Sequence, residues 1–515
     1  MGLQGSLDSP EHTIVQDDST TPKHAEEFHI ISPNASPLRR AFVLVIVCLA
    51  LFIDSFNTGG MIIGLNDIAR DLNKDPDSVQ WVLTAFNLTF GSFLLLSGRM
   101  TDLYHPKPIF ITGFFIVGIF GLIAGFMHNI IAIIILRAVQ GIGASMTIPS
   151  AISMLTSAYT DPESRGIALT FFASAGTLGI CLGFVLGGVI VKFASWRWVF
   201  WAIASASIPT ALVSIWLIPV DTLKVPKSNK KMDFPGVFIM TSAIILLIFA
   251  LSDAPKIGWV TARVLTPLIL SILMICVFFW WQTKLSDDHA LIPVDMWWIK
   301  NFLILILVSL GNQAYFIGPV VLYSVFWPVA YEWSPLTIGL HFLPAGIISG
   351  IICIFLPRFF LRLPPKLCLV GGQLIAGLLV IFFVFADTRE KYWSLVFPGF
   401  VLVTAASSVV YLVSNVSVIT SVPIDKIGVG SAVFNAAQQV GSAVNVAILT
   451  TLFVESEKKR PLPGYDSVSS AMWWIVAVGS AEAIGCLVFF KPRKNSLEGA
   501  GAPEAEEEKE REERA

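Results

Sequence analysis

Three ionisable side chains stand inside stretches of sequence that are otherwise apolar: Asp54 in FIDSFNTGG, Arg137 in RAVQGIGA and Glu482 in SAEAIGC. A charge at bilayer depth costs roughly 3 kcal/mol or more, so each marks a candidate functional group. Asp54 lies ten residues before the end of its apolar run, 41–64, and Arg137 seven after the start of its own, 130–155. At about 1.5 Å per residue they sit roughly 15 and 10 Å below one surface, a mismatch of about one turn that a long Arg side chain bridges. The two could therefore pair if their helices face one another. A nearby Arg favours the charged carboxylate and desolvation favours the neutral acid. A cavity that opens and closes around the pair would alter that balance, letting one carboxyl take a proton on one side and release it on the other. A static structural ion pair is the alternative. Glu482 reads as a packed, lipid-facing or protonated carboxyl, and His341 as a hydrogen-bonded lone imidazole.

Amides and glycines extend the pattern. Asn435, Gln438, Gln439 and Asn445 share a broad helical face, and Asn57, Asn87, Asn312, Gln313 and Tyr315 could join them around a wet cavity or serve as packing glue between helices. Gly176, Gly179, Gly183, Gly187 and Gly188 recur at steps of three and four, which places most of them on one face and permits close backbone contact. Gly141 and Gly143 do the same beside Gln140.

These residues need a scaffold of membrane-spanning helices, and the composition supplies it. Hydrophobic residues make up 55% of the chain and charged residues 14%, against roughly a quarter charged in a soluble domain. Runs long enough to span occur at 41–64, 81–103, 109–127, 130–155, 166–191, 198–219, 234–252, 264–283, 301–327, 335–357, 367–386, 393–414, 428–453 and 469–490. Fourteen spans put both tails on one side. The larger share of Lys and Arg falls on that side, including Arg39, Arg40, Lys107 and Arg165, so the tails are expected in the cytosol. The expected organisation is a disordered tail at 1–40, a six-helix bundle at 41–220, a linker with two extra spans at 221–300, a second bundle at 301–490 and a charged tail at 491–515. Spacing repeats support two related halves: Arg99, Pro106, Lys107 and Gly113 recur as Arg358, Pro365, Lys366 and Gly372, and Gly166 and Gly179 as Gly428 and Gly441.

Three segments carry a family resemblance. GRMTDLYHPKP, 98–108, resembles the G-x-L-x-D-R-x-G-R-K loop between helices 2 and 3 of the major facilitator superfamily, with Gly98, Asp102 and Lys107 at matching positions. RAVQGIGA, Arg137–Ala144, is similar to its helix 4 motif R-x-x-Q-G-x-G-A, and GTLGICLGFVLGGVI is similar to G-x-x-x-G-P-x-x-G-G of its proton-coupled antiporters, with Phe184 in place of Pro. The resemblance points to the fourteen-helix drug:proton antiporter group, and FIDSFNTGG, VQWVLTAFNLTFGSFLLLSGRMTDL and RAVQGIGASMTIPSA resemble its fungal aminotriazole-resistance and boron-efflux branch. The resemblance implies an all-α membrane fold of two pseudo-symmetric six-helix bundles plus two inserted helices, with spans 1 and 4 on one central cavity. It implies export of a small organic compound by proton antiport through alternating access. Gly98, Asp102 and Lys107 would form a conformational latch, Asp102 capping the positive N-terminus of a neighbouring helix. A facilitator or proton-coupled transporter of a small polar solute such as boric acid or ammonium is the alternative, and a transporter-like sensor a more distant one. The expected partners are substrate, protons and the bilayer, for a monomer in the plasma membrane.

Other classes find no support in the residues. Near-neutral net charge, −2, offers nothing to nucleic acid. The six cysteines lack metal-ligand spacing, and no Gly-Lys dipeptide exists to build a phosphate-binding loop, so neither metal, cofactor nor enzymatic activity is expected.

Overall fold

The computed structural model describes residues 37–218, 232–286, 289–423, 426–459 and 464–491. The basic loop at 223–231 and almost all of both tails lie outside the described residues. In the first half α1 (Pro37–Asp71), α2 (Pro76–Leu103), α3 (Pro106–Gly125), α4 (Ile130–Ala158), α5 (Pro162–Phe193) and α6 (Arg197–Leu217) follow one another through short turns. The pair α7 (Phe234–Ile257) and α8 (Ala262–Gln282) comes next. The second half holds α9 (Phe302–Ala330), α10 (Pro335–Phe355), the short α11 (Pro357–Arg362), α12 (Pro365–Leu379), α13 (Ile381–Val384), α14 (Phe397–Ser421), α15 (Ile427–Lys459) and α16 (Asp466–Phe489). Thirteen helical spans among the described residues are long and apolar enough to cross a membrane, α12 and α13 counting as one, and Leu336–Ile352 of α10 adds a shorter apolar stretch. The chain is a multi-pass integral membrane protein.

Local chemistry sets the helix ends. Pro106 and Pro365 occupy first-turn positions, where a missing N–H costs nothing. The Asn129 and Asp161 side chains accept from Ile131 N and Ser164 N at 2.9 and 2.8 Å. One boundary departs from the sequence expectation. Instead of ending near residue 64, α1 continues to Asp71 and stops before Asn73, whose φ of 49° leaves the helical region. Arg197 Nη1 and Trp196 Nε1 donate to Asp71 Oδ2 at 2.6 and 3.1 Å, tying this end to the start of α6.

The spacing repeats correspond to matched packing in the two halves. Gly179 lets α5 lie on the α1 backbone: a Cβ there would stand 2.9 Å from Phe52 Cα. Gly441 lets α15 lie on α9, where a Cβ would stand 2.6 Å from Leu310 Cα. Gly113 likewise brings α3 against α4, and Gly372 brings α12 against α14. Two seams then join the halves. Along α5 and α10, the Phe184 and Phe342 rings meet at 5.5 Å and a Cβ on Gly339 would lie 2.7 Å from the Phe184 carbonyl oxygen. Along α2 and α15, Gly91 faces Gln439, and Gly98 faces Ala432 and Gly428.

Of the inserted pair, α7 sits on this second seam and α8 packs against α7. Helix α7 touches α2 through Trp81 and Phe249, whose rings are 5.6 Å apart, and Trp259, just past its end, donates to Thr451 Oγ1 of α15 at 3.0 Å. At the other end Asp233, buried, accepts from Gly236 N, Trp281 Nε1 and Gln282 Nε2 at 2.9, 3.1 and 2.7 Å, closing α7 onto α8.

Candidate functional site

A cavity of about 240 Å³ lies between the halves, lined from α1, α2, α4, α5, α9, α10, α14 and α15. Asp54, Asn87, Asn312, Gln313, Asn435, Gln438 and Gln439 all line it. Gln313 Nε2 donates to Gln438 Oε1 at 2.6 Å, and Ser407 Oγ to Asn312 Oδ1 at 3.3 Å. Phe86, Phe90, Phe316 and Tyr411 supply aromatic walls, and Asp54 is the one charged side chain among the lining residues.

The expected Asp54–Arg137 ion pair does not form. Asp54 Oδ2 accepts from Thr147 Oγ1 of α4 at 2.6 Å, while Oδ1 is buried without a partner. Arg137, fully buried, donates from Nε to Val82 O at 2.9 Å and from Nη1 to Asn57 Oδ1 and Gln140 Oε1 at 2.7 and 3.1 Å. Its guanidinium stacks over the Phe86 ring at 4.4 Å. The reason is the longer α1. Asp54 lies about 25 Å below the end at Asp71, whereas Arg137 lies only about 10 Å below the start of α4 on the same side, at about 1.5 Å per residue. The depth of Asp54 is met on α4 by Thr147, a partner without a charge to announce it.

Two other expected lining residues face elsewhere. Asn57, fully buried, is taken up by Arg137, and Gln140 passes the same network on to Val117 O at 3.0 Å. Tyr315, buried, points between α9, α12 and α16, its hydroxyl 3.4 Å from Gln373 O. Glu482 belongs to that second cluster, accepting from Gln373 Nε2 and packed against Gly311. The hydroxyls of α14, Thr404, Ser407 and Ser408, line the cavity without having been expected there. Their spacing of three and four in TAASS was the available signal.

The glycines act as contact points. A Cβ on Gly141 would stand 3.0 Å from Phe90 N of α2, and one on Gly143 would stand 2.8 Å from Gly113 O of α3. A Cβ on Gly183 would lie 3.0 Å from Gly60 N and one on Gly187 would lie 2.7 Å from Gly60 Cα, both on α1, while Gly188 reaches Leu336 of α10.

At the tail side of the α2–α15 seam, Asp102 Oδ1 and Oδ2 accept from Gly428 N and Val429 N at 2.8 and 2.9 Å. A carboxylate thus caps the N-terminus of α15, where the helix dipole is positive and N–H groups lack internal partners. A Cβ on Gly98 would stand 2.7 Å from Gly428 O, so only a residue without a side chain permits the approach. Lys107 departs from the expected latch across the halves. Its Nζ donates to Ile215 O and Ile218 O, both at 2.7 Å, because the carbonyls ending α6 are the nearest acceptors.

The sequence profile of the Major Facilitator Superfamily matches residues 47–445. The chain belongs to the major facilitator superfamily. Among its relatives, the major facilitator superfamily multidrug transporter mfsC of Aspergillus fumigatus is 26% identical over 472 residues, 88% of each chain. The puromycin resistance protein pur8 of Streptomyces alboniger is 27% identical over 419 residues, 80% of this chain and 82% of its own. Among solved structures, the human organic anion transporter MFSD10 (TETRAN) matches with a TM-score of 0.61 at 14% identity, covering 88% of this chain and 100% of the other. This superfamily protein is a transporter of small molecules and not an enzyme.

The cap on α15 carries a direct prediction. For Asp102→Asn, loss of the charged acceptor should shift the balance between seam-closed and seam-open states by about 1.5–3 kcal/mol, the range for hydrogen bonds to charged groups. Alkylation of a cysteine placed at Ser442, on the cavity wall, should then run at least fivefold faster from the tail side in a background lacking the native cysteines. An unchanged rate would separate Asp102 from the latch.

Proposed function

We propose that this chain exports a small organic compound from the cell in exchange for protons, by alternating access, as a monomer in the plasma membrane with both tails in the cytosol. The observation that carries the reading is the lone carboxyl, Asp54, on a central amide- and hydroxyl-lined cavity, one oxygen held by Thr147 and the other without a partner. Such a group can alternate between binding a proton and releasing it as the surroundings change. Arg137, set apart from it on uncharged acceptors, positions α1, α2 and α4 through Asn57, Val82 and Gln140. Gly98 and Asp102 close the α2–α15 seam, whose separation would admit the cytosol. The names of the Aspergillus and Streptomyces relatives, a multidrug transporter and a puromycin resistance protein, agree with export.

The test is efflux of a chemically diverse compound panel from cells expressing the protein, with and without a proton uncoupler. At least one compound should leave several-fold faster than from control cells, and the uncoupler should remove that excess. Uncoupler-insensitive, purely downhill flux would instead establish a facilitator.

A further inference from the structure

Glu482 stands within the α16 span, none of whose residues lines the cavity. A carboxyl at such a depth is costly, so its place calls for a role. Its Oε2 accepts from Gln373 Nε2 of α12, and its Oε1 fills the space that a side chain on Gly311 of α9 would occupy. One turn along α9 from Gly311, the Tyr315 hydroxyl donates to Gln373 O at 3.4 Å, and it fits because Gly479 of α16 has no side chain. Glu482, Gln373 and Tyr315 thus knit α9, α12 and α16 together behind the cavity. Leu310 O is held from another direction: it accepts from Asn445 Nδ2 of α15 at 3.1 Å, and Trp474 Nε1 of α16 donates to Asn445 Oδ1 at 3.1 Å.

The opposite face of the same stretch of α9 is cavity wall, formed by Asn312, Gln313, Phe316 and Ile317. At about 100° per residue, their mean direction lies roughly 150° round the helix from that of Gly311 and Tyr315. Gln313 donates from there to Gln438, and Asn312 accepts from Ser407. Stability alone gives no reason for the cluster behind. Gln373 Oε1 is buried without a partner, a loss that an apolar seam would avoid.

We propose that Glu482 is a positioning residue: through Gly311 and Gln373 it fixes the rotation of the α9 turn 310–315, and with it the directions in which Asn312 and Gln313 meet a substrate. It touches no substrate itself. The role needs a hydrogen-bond acceptor of this length that fits beside Gly311, so Gln can serve at 482 and Leu cannot. The bearing on substrate choice rests on the reading of the cavity as the substrate chamber; the rotation of α9 does not.

Alkylation by N-ethylmaleimide of the purified full-length protein in lipid nanodiscs tests it, in a background lacking the native cysteines. One reporter is Ile317→Cys, on the cavity wall one turn beyond Gln313, which leaves both amides intact; the control is Asn87→Cys, on the wall of the other half. Glu482→Leu should raise the rate at 317 at least fivefold, as the freed turn swings, and leave the rate at 87 within twofold. Glu482→Gln should leave both within twofold. Gln373→Leu, which removes the bridge and keeps the carboxyl, should repeat the effect at 317, and the double variant should exceed neither single one, because the two side chains act as a unit. Rates rising equally at 317 and 87 would mean general loosening, an unchanged rate at 317 would mean that α9 holds its own course, and Glu482→Gln as reactive as Glu482→Leu would mean that the charge matters; each overturns the proposal. Should Glu482→Leu fail to fold, Gln373→Leu and Glu482→Gln decide the matter by the same rates. No gradient or substrate is present, so these outcomes are independent of the uncoupler experiment: export could fail there while the positioning role stands, and the reverse.

Discussion

Asp54→Asn is expected to abolish uphill, proton-driven efflux while counterflow of substrate persists at saturating concentration. Asparagine keeps the size and can still accept from Thr147 Oγ1, so the α1–α4 contact at 2.6 Å survives in neutral form. What would be lost is the proposed capacity to carry a proton, because among the described residues no other charged side chain lines the cavity to replace it. Accumulation against a gradient in inside-out vesicles, with an imposed pH difference, should fall to the level of vesicles lacking the protein. Counterflow without a pH difference should remain within a fewfold of the native rate. Retention of pH-driven accumulation would move the proton site elsewhere, with Glu482 as the next carboxyl to examine.

Gly179→Val should have the largest effect on the fold. A Cβ at 179 would already stand 2.9 Å from Phe52 Cα and 3.0 Å from Phe52 C, and backbone cannot yield as a flexible side chain does. The α1–α5 crossing must then widen, taking with it the close approaches of Gly183 and Gly187 to Gly60. Overpacking of this kind costs about 1–3 kcal/mol, and each 1.4 kcal/mol or so is tenfold in an equilibrium constant. The yield of monodisperse protein and its melting temperature should both drop sharply, and Leu182→Val, on the exposed face of the same helix, should leave them near native values. Equal behaviour of the two variants would show that the crossing tolerates separation.

The spans were legible because hydrocarbon imposes one simple demand, a run of about 20 apolar residues, and the chain meets it openly. The polar end of α1 was not. GLNDIARD reads as loop by hydropathy, yet nothing in it breaks a helix before Asn73. That one misplaced end carried over into the site, since the depth of Asp54, and with it the supposed pairing with Arg137, was measured from it. Partners that carry no charge were equally silent: Thr147 holds Asp54, Val82 O and Asn57 hold Arg137, and two backbone carbonyls hold Lys107. Asp102 differs because the resemblance of its loop implied a helix N-terminus as its partner, and the structure supplies one some 326 residues away.

The placement of α7 bears on how such a machine stays sealed sideways. Near Gly98 and Gly428, α2 and α15 lie directly against each other. Toward Trp81 and Thr451 the partner on each side is α7 or the turn that follows it, with Ile248 reaching Gly91 midway. A twelve-helix body would present that gap to acyl chains whenever its lobes swung apart. On the alternating access proposed above, a greasy stave over that gap would let the amide-rich interior change which aqueous face it greets without lipid tails leaking in from the flank.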